Sequence, residues 1–118
     1  MPIDFPADEN GDVLRRMQAG GDNLRQPRDI DFSLLFPDQA MAETFCGIMH
    51  EEGYELAYGP WEAQSEDDEN IGKWDVTVTR HMVPDHSAIT QFERELAVIA
   101  MPFGGRNDGW GCFRVIES

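Results

Sequence analysis

Lys73-Trp74-Asp75-Val76-Thr77-Val78-Thr79-Arg80-His81-Met82 decides how this chain folds. Trp74, Val76 and Val78 alternate with Asp75, Thr77, Thr79 and His81. Side chains in a strand point to opposite faces in turn, so the apolar set goes to one side and the polar set to the other. The β-branched Val and Thr residues suit that pleated, half-buried backbone. A second stretch, Arg28-Asp29-Ile30-Asp31-Phe32-Ser33-Leu34-Leu35-Phe36, has the same period, with Ile30, Phe32, Leu34 and Phe36 facing in and Asp29, Asp31 and Ser33 facing out. Two strands of this kind require a sheet with one dry face and one wet face.

The connections follow from local chemistry. Pro37-Asp38 ends the earlier strand and opens a helix capped by Asp38, in which Ala42, Phe45, Ile48 and Met49 recur at helical spacing until Gly53. Tyr54-Glu55-Leu56-Ala57-Tyr58 alternates as a short strand, which Gly59-Pro60 disturbs and Trp61 continues beyond a bulge. The segment from Glu62 to Asn70, with Glu66-Asp67-Asp68-Glu69 as an uninterrupted acidic run, reads as a solvated, mobile loop. Beyond Val83-Pro84 lies the longest helix, 85–101, with Ile89, Phe92, Leu96, Ile99 and Phe103 on its apolar stripe and Pro102 and Gly104-Gly105 as its stop. Asn107-Asp108-Gly109 is expected to turn, and a last strand to run from about Trp110 to Ile116. At the other end, Pro2 and Pro6 make a loose lead-in to a helix over 8–19, striped by Val13, Leu14 and Met17. Gly11 weakens that helix by about 1 kcal/mol relative to alanine.

A leading helix followed by β-α-β-β-α-β is an α+β arrangement of the ferredoxin-like kind. It is an antiparallel sheet with two helices on one face and an additional N-terminal helix. The 118 residues suffice for one domain, 1–118, with a core that needs no metal or disulfide. The first and third strands belong in the middle of that sheet. The face away from the helices then displays Asp29, Asp31, Ser33, Asp75, Thr77, Thr79 and His81, unless the leading helix folds across it.

Charge narrows the function. Nine Lys and Arg against 23 Asp and Glu leave a formal charge of −14, which repels phosphate backbones and disfavours direct nucleic-acid binding while favouring basic partners. No stretch approaches the roughly 20 apolar residues of a membrane span, and Met-Pro-Ile-Asp-Phe-Pro lacks the basic-then-apolar order of a signal peptide, so a cytoplasmic protein is expected. Cys46 and Cys112 have no C-x-x-C spacing and read as small hydrophobes.

The open face bears carboxylates and hydroxyls where an RNA-stacking sheet would bear aromatic and basic residues. Candidate partner-binding residues are therefore Asp29, Asp31, Asp75 and His81 on the sheet, the acidic run Glu66, Asp67, Asp68 and Glu69, and Asp108 with Trp110 at the last strand. Trp110, flanked by Gly109 and Gly111, either wedges its strand against the core or anchors a partner at the sheet rim. Two rival readings remain. Asp29, Asp31, Asp75 and His81 would serve a metal-dependent or small-ligand enzyme, although no fixed ligand spacing marks them. Alternatively, the open faces of two copies pack together in a self-associating module. His50, His81 and His86 match no ligand motif and read as surface histidines, no catalytic motif is evident, and no cofactor is implied. Arg80, on the apolar side of its strand, is expected to reach the rim or to pair with Glu93 or Glu95.

Pro27-Arg28-Asp29-Ile30-Asp31-Phe32, the acidic composition and above all Asp108-Gly109-Trp110-Gly111 resemble the regulator of ribonuclease E activity B family, RraB. The resemblance covers about residues 12–113, and Asp-Gly-Trp-Gly is its specific part. It implies a small acidic bacterial cytoplasmic protein of α+β sandwich type that binds ribonuclease E and alters RNA decay without cutting RNA. Better-known members carry a long acidic C-terminal tail; here the densest acid lies between the second and third strands.

Overall fold

In a computed structural model describing residues 7–112, β1 (Arg28–Phe36) and β3 (Trp74–Met82) pair antiparallel over their whole length, from Arg28 opposite Met82 to Phe36 opposite Trp74. β2 (Glu55–Pro60) joins the far side of β3 and β4 (Arg106–Cys112) the far side of β1, giving the order β2-β3-β1-β4. All three pairings are antiparallel, and the two strongly alternating strands take the middle positions. α2 (Gln39–Glu51) and α3 (His86–Ala100) are the connecting helices, a 3₁₀ turn (Met101–Phe103) follows α3, and α1 (Glu9–Ala19) precedes the sheet.

Alternation explains the core. Ile30, Phe32, Leu34, Phe36, Val76 and Val78 from the sheet meet Phe45, Met49, Ile89, Phe92 and Leu96 from the helices, all at 2% exposure or less. Burying such a side chain contributes about 1.5–3 kcal/mol. Phe32 and Phe92 meet edge to face, with centroids 4.8 Å apart and planes at 79°, the geometry that an aromatic quadrupole favours. Each helix starts at an aspartate whose carboxylate accepts an otherwise unpaired N–H of the first turn: Asp8 from Gly11 at 2.8 Å, Asp38 from Met41 at 3.0 Å and Asp85 from Ala88 at 3.0 Å.

α1 settles which face stays open. Its Leu14 is fully buried in the helix-side core, and Asn10 donates to Thr90 Oγ1 (3.1 Å) and Glu93 Oε1 (2.7 Å) of α3. The leading helix therefore lies beside α3 and not across the polar sheet face. Gly11, the expected weak point, is a buried residue whose N–H is the one Asp8 caps. The loop after α1 is tied to the start of β1 by Asp22, which accepts two 2.8 Å bonds from the buried Arg28 guanidinium, while Arg28 also donates to the Asn23 carbonyl at 2.7 Å.

Two local expectations are corrected. Gly59-Pro60 does not disturb β2, whose register with β3 runs unbroken to Pro60 opposite Trp74; proline is accommodated because β2 is an edge strand with no neighbour waiting for its N–H. Asn107-Asp108-Gly109 is not a turn before the last strand but part of β4, which starts at Arg106. Between Phe32 opposite Trp110 and Leu34 opposite Asn107, one residue of β1 faces two of β4. That is a bulge, and Gly109 at φ 99° supplies the backbone angle. The expected continuation to Ile116, like the lead-in over 1–6, lies outside the described residues.

Candidate partner-binding surface

The antiparallel register stacks the outward residues into rows. Asp29 stands opposite His81; Asp31 opposite Thr79, which in turn faces Glu55 of β2; Ser33 opposite Thr77; and Leu35 opposite Asp75. At one end the rows are open to water. His81 Nδ1 lies 3.0 Å from Asp29 Oδ1 with both side chains mostly exposed, and the Thr79 hydroxyl donates to Asp31 at 2.7 Å. A cleft of about 420 Å³ there is lined by Asp29, Asp31, Glu55, Thr79 and Cys112. Glu55 completes the row, although the sequence reading passed it over. Its parity, outward between Tyr54 and Leu56, was the available signal.

The other end is roofed. Leu35 points to the polar face yet is only 1% exposed and lies outside the helix-side cluster. The residues between β2 and β3 reach over this row: Asn70 Oδ1 accepts from Lys73 Nζ at 3.0 Å and from Arg106 at 3.2 Å, and Arg106 is the β4 partner of Leu35. The acidic run thus lies in a strand connection that makes hydrogen bonds of its own. Asp68 accepts the backbone N–H of Gln64 (2.9 Å), the indole N–H of Trp61 (2.8 Å) and the backbone N–H of Asn70 (2.9 Å), and those bonds hold its carboxyl below the ordinary value of 3.8. Glu66, Asp67 and Glu69 remain exposed, so one member of the run organises the segment while three face water.

Asp75 sits under this roof. One of its carboxylate oxygens is buried and meets no donor among the described residues. Burial, aided by the negative charge of Asp108, pushes its carboxyl above the ordinary 3.8. The sequence showed Asp75 as one acidic position among several, and nothing in strand parity distinguishes it from Asp31.

Trp110 pairs with Phe32 and so faces the helix side, half-buried against the core, with its indole N–H donating to Asn10 Oδ1 at 2.9 Å. The wedge reading describes its packing. The indole also lines a groove of about 500 Å³ between α1, α3 and β4 together with Asn10, Glu93 and Asp108. His86 lies 2.9 Å from Asp8 Oδ2 beside this groove. Arg80 is on the expected side, but its guanidinium stacks 4.6 Å from the Phe92 ring centroid instead of pairing with Glu93 or Glu95. Cys46 is buried, which raises its thiol to about 11, and Cys112 is half-buried; both are free thiols.

Of the residues of the enzyme alternative, Asp29, Asp31 and His81 gather at the open end of the face and Asp75 stands apart. Asp29 is engaged by His81 and Asp31 by Thr79, while Asp75 lies at the far end of the face, and no group of three or more metal-ligating side chains is gathered among the described residues. None of the described helices is long and apolar enough to cross a membrane.

A four-stranded antiparallel sheet with helices on one side and carboxylates on the other defines a small α+β domain whose distinguishing feature is an acidic sheet face. Over residues 7–112 the chain matches the family described as Regulator of ribonuclease activity B, RraB, and it belongs to that family. No curated protein matches it significantly.

Proposed function

We propose that the protein is a non-catalytic regulator that binds a ribonuclease of the E type in the cytoplasm and restrains RNA decay by occupying a basic segment of the enzyme. Membership of a family named for regulating ribonuclease activity supports the partner class. The strand order β2-β3-β1-β4, with the connecting helices on one side, supports placing the domain in the ferredoxin-like group.

The observation that carries the reading is the open end of the sheet. Among the described residues its cleft is lined by Asp29, Asp31, Glu55, Thr79 and Cys112, and by no cationic side chain. Such a row competes with RNA phosphates for the same arginine and lysine side chains. His81 extends it along β3, and Asp108 and Trp110 carry the surface round the β4 edge into the neighbouring groove. Exposed Glu66, Asp67 and Glu69 add long-range attraction that speeds encounter more than it holds the complex.

Capture of the ribonuclease from a native lysate by the immobilised protein, repeated across a salt series, tests this. Capture is expected at low salt and is expected to be lost by about 0.5 M, where the Debye length falls below roughly 5 Å. Capture unchanged across that range would overturn an electrostatic contact.

A further inference from the structure

The roofed end of the sheet holds a second, smaller cleft with a different chemistry. It has a volume of about 330 Å³ and is lined by Gly59, Trp61, Glu62, Gln64, Asp75 and Thr77, together with other residues of β2. That is at the small end of ligand sites, roughly 300–1,000 Å³, and suits one side chain better than a whole small molecule. Gly59 leaves its floor open: a Cβ built there meets nothing within 4 Å. Trp61 is held at its wall by the bond from its indole N–H to Asp68 (2.8 Å), and its own backbone N–H donates to Lys73 O at 2.9 Å. Asp75 lines the cleft and contributes a carboxylate one of whose oxygens is buried without a donor.

We propose that this cleft takes the guanidinium of a single arginine from the partner's basic segment, with the Asp75 carboxylate as its counter-charge and the Trp61 indole lying against its face. The proposal rests on the reading of the protein as a binder of basic segments and adds the residue that binding selects. The chemistry favours arginine over lysine on two counts. Guanidinium stacks on aromatic rings and is weakly hydrated, whereas an ammonium does not stack in that way and, as a strongly hydrated point charge, loses more on leaving water. A carboxylate already stripped of solvent on one side gains more from an incoming cation than Asp29 or Asp31, which are solvated and engaged by His81 and Thr79. Burial of Asp75 and the nearby Asp108 charge, which disfavour its ionised form in the empty cleft, are relieved when that cation arrives. A phosphate or other anion would meet Asp75 and Glu62, and a divalent cation would find too few converging oxygens among the described residues.

Two synthetic peptides of equal length and charge, one arginine-rich and one with every arginine replaced by lysine, separate the possibilities. Their affinities for the wild type and for the Asp75→Asn and Trp61→Leu variants are measured calorimetrically at low salt. The wild type is expected to prefer the arginine peptide by about tenfold, in line with a charge-assisted contact stacked on an aromatic face. Each variant should lose that preference while keeping its affinity for the lysine peptide, which the open acidic end alone can hold. A cooperative thermal unfolding transition in each variant checks that it remains folded. Equal wild-type affinities, or an arginine preference that survives both substitutions, would overturn the cleft and leave the acidic-face reading standing. Failure of the wild type to bind either peptide would overturn both.

Discussion

β1 takes an aspartate out of water at each of its ends, and the two are treated differently. At its start Asp22, with a side chain 1% exposed, receives two 2.8 Å bonds from Arg28, whose own side chain is 5% exposed. At its finish Asp75, cross-strand from Leu35, has a buried oxygen with no donor among the described residues. A buried charge with a bidentate partner is a structural joint, because the lost hydration is replaced in place. A partly buried charge without one costs stability in the isolated protein, and such a group persists where something else supplies its counter-charge. The contrast separates the acid that holds the fold together from the acid available to a partner.

The largest test of that contrast removes the satisfied aspartate. Asp22→Ala takes away the carboxylate of the buried pair, while the carbonyls of Asn23 and Gln26 still accept from Arg28. Breaking one side of a buried pair costs about 3–5 kcal/mol, so the urea midpoint should fall steeply. A loss below about 1 kcal/mol, the range of an exposed pair, would make the two ends of β1 alike after all.

A second test concerns packing at the finish of β1, near Asp75. Gly105 lies so close to the last residue of the strand that a Cβ would stand 2.4 Å and 2.6 Å from two Phe36 ring carbons and 2.9 Å from the Ala100 Cβ. Phe36 is fully buried and tilted against Phe45 with centroids 4.9 Å apart, so the ring has little room to retreat. Gly105→Ala is expected to cost about 1–3 kcal/mol through overpacking, read as a lower thermal midpoint. An unchanged midpoint would mean that this end of β1 yields easily. The roof over Leu35 could not then be credited with holding Asp75 in its unsatisfied state.

How far the sequence revealed these features depends on the range of the interactions behind them. Alternation in β1 and β3, the cap at Asp38 and the Ile89, Phe92 and Leu96 stripe of α3 are set within a few residues, and each appears as read. Asn107-Asp108-Gly109 misled because a turn and a bulge ask for the same residues, small polar groups followed by a glycine at positive φ. Only pairing with β1, some 75 residues earlier in the chain, selects the bulge. Leu35 and Asp75 are both outward by parity, and parity cannot show that residues 61–73 fold back over one end of the face. Asp68 was legible as charge but not as the acceptor for Trp61, since nothing in an acidic tetrad marks which member turns inward. Arg28 drew attention as part of a family-like motif, whereas its partner six residues upstream in the loop after α1 was not foreseen.

The smallest effect bears most directly on the contrast, because it gives Asp75 the opposite sign from Asp22. Asp75 has a folded-state pKa above its unfolded value of about 3.8. Below both values the carboxyl is protonated in the folded and unfolded chain alike, and the penalty vanishes. As pH rises through the folded value the group ionises where water is scarce, and the folded state loses stability that it does not regain at neutral pH. Asp75→Asn removes the charge and keeps the shape. Its thermal midpoint is therefore expected to lie slightly above wild type at pH 7 and to converge with it as the pH is lowered towards 4, the gain being well under that of a fully buried group because Asp75 remains partly solvated. Asp22→Ala should be destabilising at both pH values. An Asp75→Asn protein less stable than wild type at pH 7 would mean that the carboxylate already has its counter-charge within the folded chain, and the opening contrast between the two ends of β1 would collapse.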